Sequence, residues 1–92
     1  MSGIPTRFYL HQNYPNPFNP LTTIRYEIPV TGPVKIKIYD MLGREVLKLV
    51  DEVKAPGIYT IAWNAANLPS GVYLYRLQAN SFTATKKVVL IK

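Results

Sequence analysis

Thr23-Ile24-Arg25-Tyr26-Glu27-Ile28-Pro29-Val30-Thr31-Gly32-Pro33-Val34-Lys35-Ile36-Lys37-Ile38-Tyr39 holds two runs in which side chains of opposite character alternate. In the first, Ile24, Tyr26 and Ile28 alternate with Thr23, Arg25 and Glu27. In the second, Val34, Ile36 and Ile38 alternate with Lys35, Lys37 and Tyr39. A period of two is the signature of a strand, because successive side chains point to opposite faces. One apolar and one wettable face mark an antiparallel sheet covered on one side. Pro29 to Pro33 reads as a hairpin loop between the two strands.

The same period recurs outward from this stretch. Asp40-Met41-Leu42-Gly43-Arg44 is a tight connection in which Gly43 can take the positive φ that a bulged hairpin needs. Glu45 to Val50 alternates poorly, with Leu47 and Leu49 on one face and Val46 and Val50 on the other. A bulge or an edge position accounts for that. Asp51 to Gly57 reads as the next turn, with Pro56-Gly57 as breaker. Tyr59, Ile61 and Trp63 share a face, and Asn64 to Gly71 is a loop. Val72 to Ala79, apolar on both faces apart from Arg76 and Gln78, suggests a central strand. Asn80-Ser81 turns the chain into a last strand, Phe82 to Ile91. With a short strand near Phe8-Tyr9-Leu10, the pattern predicts an all-β, antiparallel β-sandwich of about seven strands.

Ahead of the first alternating run lies Gln12-Asn13-Tyr14-Pro15-Asn16-Pro17-Phe18-Asn19-Pro20. Its prolines fix φ, remove backbone donors and push the preceding residues out of the helical region. Its asparagines can close turns with their own side chains. Two aromatics, Tyr14 and Phe18, are out of place in a disordered linker. They read as anchors of a rigid segment that packs on the domain and crosses from the first strand to the second, changing sheets.

Length and composition bound the rest. Ninety-two residues make one domain, of which 1–6 read as a linker or cloning remnant and 7–92 as the folded unit. Met1-Ser2-Gly3 has the look of a cloning scar, so the unit reads as cut from a longer protein. There is no cysteine, which excludes a disulfide scaffold, a thiolate metal site and a cysteine nucleophile. No apolar run is long enough to span a membrane as a helix. The net charge of +6 reads as a solvated surface and not a nucleic-acid face, since the basic residues are dispersed and only Lys86-Lys87 are adjacent.

Catalytic constellations are missing. His11 is the sole histidine and reads as a structural or surface residue. The acids, Glu27, Asp40, Glu45, Asp51 and Glu52, form no pair across a cleft and no calcium loop. The aromatics Tyr59, Trp63, Tyr73 and Tyr75 read as core, although such a set on an open β-face could stack on sugars. Lys86, Lys87 and Lys92 read equally as edge protection or as a binding feature. The residues themselves therefore lead to a non-enzymatic all-β module that adheres to or recognises something.

Several blocks together resemble a known family. They are Leu10 to Pro20, Thr22-Thr23-Ile24-Arg25-Tyr26, Val34 to Val46, Gly57 to Asn64, Leu68-Pro69-Ser70-Gly71-Val72-Tyr73-Leu74-Tyr75-Arg76-Leu77, and Thr85-Lys86-Lys87-Val88-Val89-Leu90-Ile91-Lys92. In order and spacing they are similar to the type A C-terminal sorting domain of the type IX (Por) secretion system of Bacteroidetes and relatives. The most specific string is Asn13-Tyr14-Pro15-Asn16-Pro17-Phe18-Asn19-Pro20. Asn64 departs from the acid often found after the tryptophan. The resemblance implies an immunoglobulin-like sandwich, similar to the corresponding domain of the flagellar hook-capping protein. It also implies a sorting signal without catalysis or cofactor, carried behind an N-terminal cargo domain. The cargo would cross the periplasm and leave through the type IX translocon with its shuttle proteins. A sortase-like cysteine protease would then act in trans, leaving the cargo at the cell surface or outside the cell. On this reading Lys86, Lys87, Val88, Val89, Leu90, Ile91 and Lys92 are the expected translocon contact, through an exposed strand edge. Asn13 to Pro20, with Gly43, Trp63 and Gly71, hold the fold. The competing readings are a carbohydrate- or surface-adhesion module and a structural spacer of a secreted enzyme.

Overall fold

The computed structural model describes residues 4–92, so Met1-Ser2-Gly3 lie outside the described residues. Among those described there are seven strands and no helix. In chain order the strands are β1 (Tyr9–Leu10), β2 (Leu21–Ile28), β3 (Gly32–Tyr39), β4 (Glu45–Lys54), β5 (Gly57–Asn64), β6 (Gly71–Ala79) and β7 (Phe82–Leu90). They form a three-stranded sheet in the order β1-β2-β5 and a four-stranded sheet in the order β4-β3-β6-β7. Every strand pairing is antiparallel. The two sheets face each other, as the immunoglobulin-like reading requires.

The alternation seen in the sequence is what packs the sandwich. Ile24, Tyr26 and Ile28 of β2 are buried against Val34, Ile36 and Ile38 of β3, Tyr75 and Leu77 of β6, and Val88 and Leu90 of β7. As expected for the core, Trp63, Tyr73 and Tyr75 are buried, and Tyr59 is half-buried with its ring stacked on Tyr26 at 5.5 Å. β6 lies between β3 and β7, the central position its two-faced apolarity suggests. The poorly alternating β4 is both an edge strand and bulged, with register shifts at Ile36/Lys37 and Ile38/Tyr39 of its partner.

Two tyrosines lock connections. Tyr73 Oη donates to Pro69 O at 2.6 Å, four residues back, at the start of β6. This is the tyrosine-corner device of immunoglobulin-like sandwiches. Tyr59 Oη makes the same four-residue reach to Ala55 O at 2.6 Å. Gly43 sits at φ 85°, where a side chain would be strained, and its N–H donates to Asp40 O at 3.0 Å. Asp40 Oδ1 accepts from the Leu42 and Arg44 N–H groups. The Arg44 N–H bonds hold the Asp40 carboxyl below its ordinary value of 3.8. Asn64 Oδ1 accepts from Ala66 N–H at 3.0 Å, so the uncharged residue after Trp63 still closes a turn.

Three local expectations are corrected. Pro29 to Pro33 is not a hairpin loop: β2 and β3 belong to different sheets, so this stretch crosses the sandwich. β4 runs on to Lys54 through the charged residues read as a turn. An edge strand tolerates charge there, because Asp51 and Glu52 pair with Lys48 and Lys54 at 3.2 and 3.1 Å in solvent. The Pro-Asn segment does not change sheets, since β1 and β2 are neighbours in one sheet.

The core carries a pH signature. Burial pushes the Tyr26 and Tyr75 phenols up to about 12 from an ordinary value of 10.0. Unfolding releases both to the ordinary value, so this contribution to stability is intact below pH 10 and lost as pH rises toward about 12. Alkaline unfolding, followed by tyrosinate absorbance together with circular dichroism, is expected in that window. Tyr26→Phe or Tyr75→Phe should flatten the loss.

Candidate functional site

The Pro-Asn segment is a strap laid along the outer edge of β7. It leaves β1 at His11, whose N–H donates to Arg25 O at 3.0 Å and whose ring lies 2.6 Å from Glu27 Oε2. Tyr75, fully buried in β6, reaches up to the strap: its hydroxyl donates to His11 O and accepts from Asn13 N–H, each at 2.7 Å. The Asn13 side chain is buried as well. Its Nδ2 donates to Pro15 O at 3.0 Å and to Thr22 Oγ1 at 2.9 Å, and the Thr22 hydroxyl donates to Pro15 O at 2.8 Å. These bonds give the Asn13 and Thr22 side chains partners, the condition for keeping an asparagine and a threonine inside a sandwich. The Tyr14–Pro15, Asn16–Pro17 and Asn19–Pro20 peptide bonds are cis.

Four contacts join strap to tail. Gln12 Nε2 donates to Lys87 O at 2.9 Å. Asn16 Oδ1 accepts from Val89 N–H at 3.0 Å. Phe18 N–H donates to Val89 O at 3.0 Å, and Ile91 N–H donates to Phe18 O at 2.9 Å. The outward-facing backbone groups of β7 are thus taken from Lys87 O to Ile91 N–H. The Phe18 ring drops between the sheets, with its centroid 5.0 Å from that of Trp63. Phe18 is the anchor expected from the sequence. Tyr14 is not: its side chain is 81% exposed, and only its backbone is engaged, in a bridge to Thr23. Paired residues share a face, and Thr23 is on the exposed side of β2, so Tyr14 is turned outward with it.

The tail is therefore not an open edge over its last residues. Upstream, at Thr83 and Thr85, β7 remains the end strand of its sheet. β1 lies beside it without pairing, and Phe8 stacks on Phe82 at 5.4 Å. The side chains of the tail diverge. Val88 and Leu90 are buried, and Lys86 shares their inward face and is half-buried. Lys87 and Val89 face outward, and Lys92 Nζ folds back to Ala66 O at 2.6 Å. The three lysines grouped in the sequence leave the strand in three directions.

Thr22 and Tyr75 belong to this site and escaped the sequence reading of it. Thr22 had a signal. It is the one polar residue on the inward parity of β2, ahead of Ile24, Tyr26 and Ile28. Tyr75 had none, because a tyrosine that ties two layers together by its hydroxyl looks the same in sequence as one that only fills space.

Comparisons place this architecture among known proteins. Solved structures match the fold, two from one organism among them. One is dimeric latent PorU from Porphyromonas gingivalis, with a TM-score of 0.72 at 22% identity over 89% of this chain and 9% of that one. The other is PorZ, a surface component of the type IX secretion system of the same organism, with a TM-score of 0.60 at 23% identity over 92% of this chain and 11% of that one. This chain thus spans about a tenth of the length of either. No curated protein matches it. The family model described as the secretion system C-terminal sorting domain matches residues 12–92, from the first residue of the strap to the last residue of the tail. The chain belongs to that family, the type IX (Por) sorting domains that its sequence blocks resemble.

Proposed function

We propose that this domain is handed over as a folded unit, with the strapped tail as the element that the type IX machinery contacts. Membership of the family makes the protein that carries it a cargo for secretion to the cell surface or beyond. The finer sequence of events is our reading. The cargo lies N-terminal to the domain and passes through the periplasm. The translocon and its shuttle proteins engage residues 86–92, and a sortase-like cysteine protease acts in trans. The domain itself performs no chemistry. The observation that carries this reading is the family match, which runs without a break from strap to tail. The strap supports it physically. A terminal strand held by Gln12, Asn16 and Phe18 is presented in one shape, which lowers the ordering cost of recognition.

A fusion of a signal peptide, a fluorescent protein and residues 4–92 tests it, expressed in a bacterium with type IX machinery and in a strain without the translocon. Fluorescence outside the cell only in the first strain is the expected result. Retention in the periplasm with the domain folded would refute the sorting role for this chain. In the exported fusion, Lys86→Gln, Lys87→Gln and Lys92→Gln are made singly, because their side chains point apart. The exposed, outward Lys87 is expected to show the largest loss of export.

A further inference from the structure

The fold gathers basic residues that the sequence disperses. On the outer face of the four-stranded sheet, Lys48 stands opposite Lys37, and Lys37 stands opposite Arg76. The three cations form one row across β4, β3 and β6, at a strand spacing of about 4.8 Å. Lys35 lies two residues along β3 on the same face, and Lys87 on β7 is opposite Leu74. Like charges placed directly opposite each other destabilise a sheet. The face holds two carboxylates: Glu45, 3.3 Å from Lys37, and Asp51, 3.2 Å from Lys48. Among the described residues, Lys35, Arg76 and Lys87 have no carboxylate within ion-pair distance. Arg76 instead lies over the Tyr39 ring at 4.9 Å. The outer face of the other sheet has no such row; there Arg25 stands opposite Thr60, with Thr23, Ala62 and Glu27 around it.

Beside the row runs a half-buried apolar strip made by Tyr39, Leu74, Val72 and Val89, joined by register from β3 to β7. At the end near the β6–β7 turn is an open hollow of about 190 Å³, lined by Pro33, Lys35, Gln78 and Asn80. An ammonium and two amides around a hollow suit a carboxylate.

We infer that this face docks an acidic protein surface, one that sets Asp and Glu side chains around an apolar spot. Charge complementarity relieves the opposed cations, and the apolar strip with a charged surround is the anatomy of a protein interface. A continuous polyanion fits less well. Glu45 and Asp51 stand within the face and would repel nucleic acid or an acidic polysaccharide along its length, whereas a protein partner can place its acids to avoid them. Lys87 and Val89 at the β7 side of this face are shared with the proposed translocon contact, whereas the row of Lys48, Lys37 and Arg76 stands without that reading.

The test uses the full chain and a short Glu-rich peptide with a central Leu-Leu pair as probe, with affinity measured at low and at physiological salt. Arg76→Glu is compared with Arg25→Glu, which makes the same change in net charge on the opposite sheet. The expected result is that Arg76→Glu weakens binding at least about tenfold while Arg25→Glu changes it little. The thermal midpoint of Arg76→Glu should hold or rise, because an acid then faces Lys37. Should Arg76→Glu fail to fold because it loses Tyr39, Lys35→Gln at the hollow, where Lys35 stands opposite Asp51, takes its place with Arg25→Gln as its control. Equal weakening by both substitutions would reduce the effect to net charge and overturn the proposal. So would no measurable binding, or tighter binding to polygalacturonate or to an oligonucleotide than to the peptide.

Discussion

Phe18→Ala is expected to lower the unfolding free energy by about 3–5 kcal/mol, the usual cost of truncating a buried aromatic. Total stability for a domain of this length is about 5–14 kcal/mol, so the loss is between about a fifth and all of it. The ring is 2% exposed and packs on Trp63 between the sheets. Its loss also frees the backbone on either side. The Phe18 N–H and C=O hold Val89 O and Ile91 N–H, and with no side chain to seat them these two bonds compete with water on an exposed strap. The damage should therefore be larger at the tail than elsewhere. Chemical denaturation gives the overall loss. Amide exchange at Val89 and Ile91 should rise further than at Leu77, in the middle of β6. Tyr14→Ala is the matched control. It removes an aromatic four residues away that is 81% exposed, and should change stability by no more than about 0.5 kcal/mol. A similar loss from both would mean that the strap is held by its prolines and not by its anchor.

That contrast shows where sequence reasoning reached its limit. Periodicity identified which side chains of β2 and β3 face inward, because a strand has only two faces and burial selects one. It could not say which sheet each strand joins. Pro29 to Pro33 carries the same turn chemistry whether it closes a hairpin or crosses the sandwich, and partner choice is settled by packing tens of residues away. β4 was cut short for a related reason. Asp51, Glu52 and Lys54 break the apolar pattern, yet an edge strand with water on one side accepts them. The strap was legible as rigid from its prolines, and its contacts were not. Gln12, Asn16 and Phe18 meet residues more than seventy positions on, and no local pattern records such a pairing. Dispersal of lysine along the chain likewise concealed a row, because Lys37, Lys48 and Arg76 become neighbours only through strand register.

Trp63→Ala and Trp63→Phe should separate what the indole contributes from what it costs. Trp63 is 1% exposed, tilted against Phe18 at 5.0 Å and edge-on to Tyr73 at 6.3 Å. Truncation to alanine empties the centre of the sandwich and is expected to cost about 3–5 kcal/mol. Phenylalanine keeps most of the packing and also removes Nε1, a buried donor without a hydrogen-bond partner among the described residues. An unsatisfied buried donor costs about 1–3 kcal/mol, and the space left by the smaller ring costs an amount of similar size. The two cancel, so Trp63→Phe should stay within about 1 kcal/mol of the parent in a denaturation experiment. A cost close to that of alanine would show that the indole N–H is bound and stabilising. The double variant Phe18→Ala/Trp63→Ala gives the last check. The two rings share one space, so the second truncation enlarges an existing cavity and should cost about 0.5–3 kcal/mol less than it does alone. Strict additivity would mean that the strap and β5 are not packed as one unit, and that the anchor of the tail lies elsewhere.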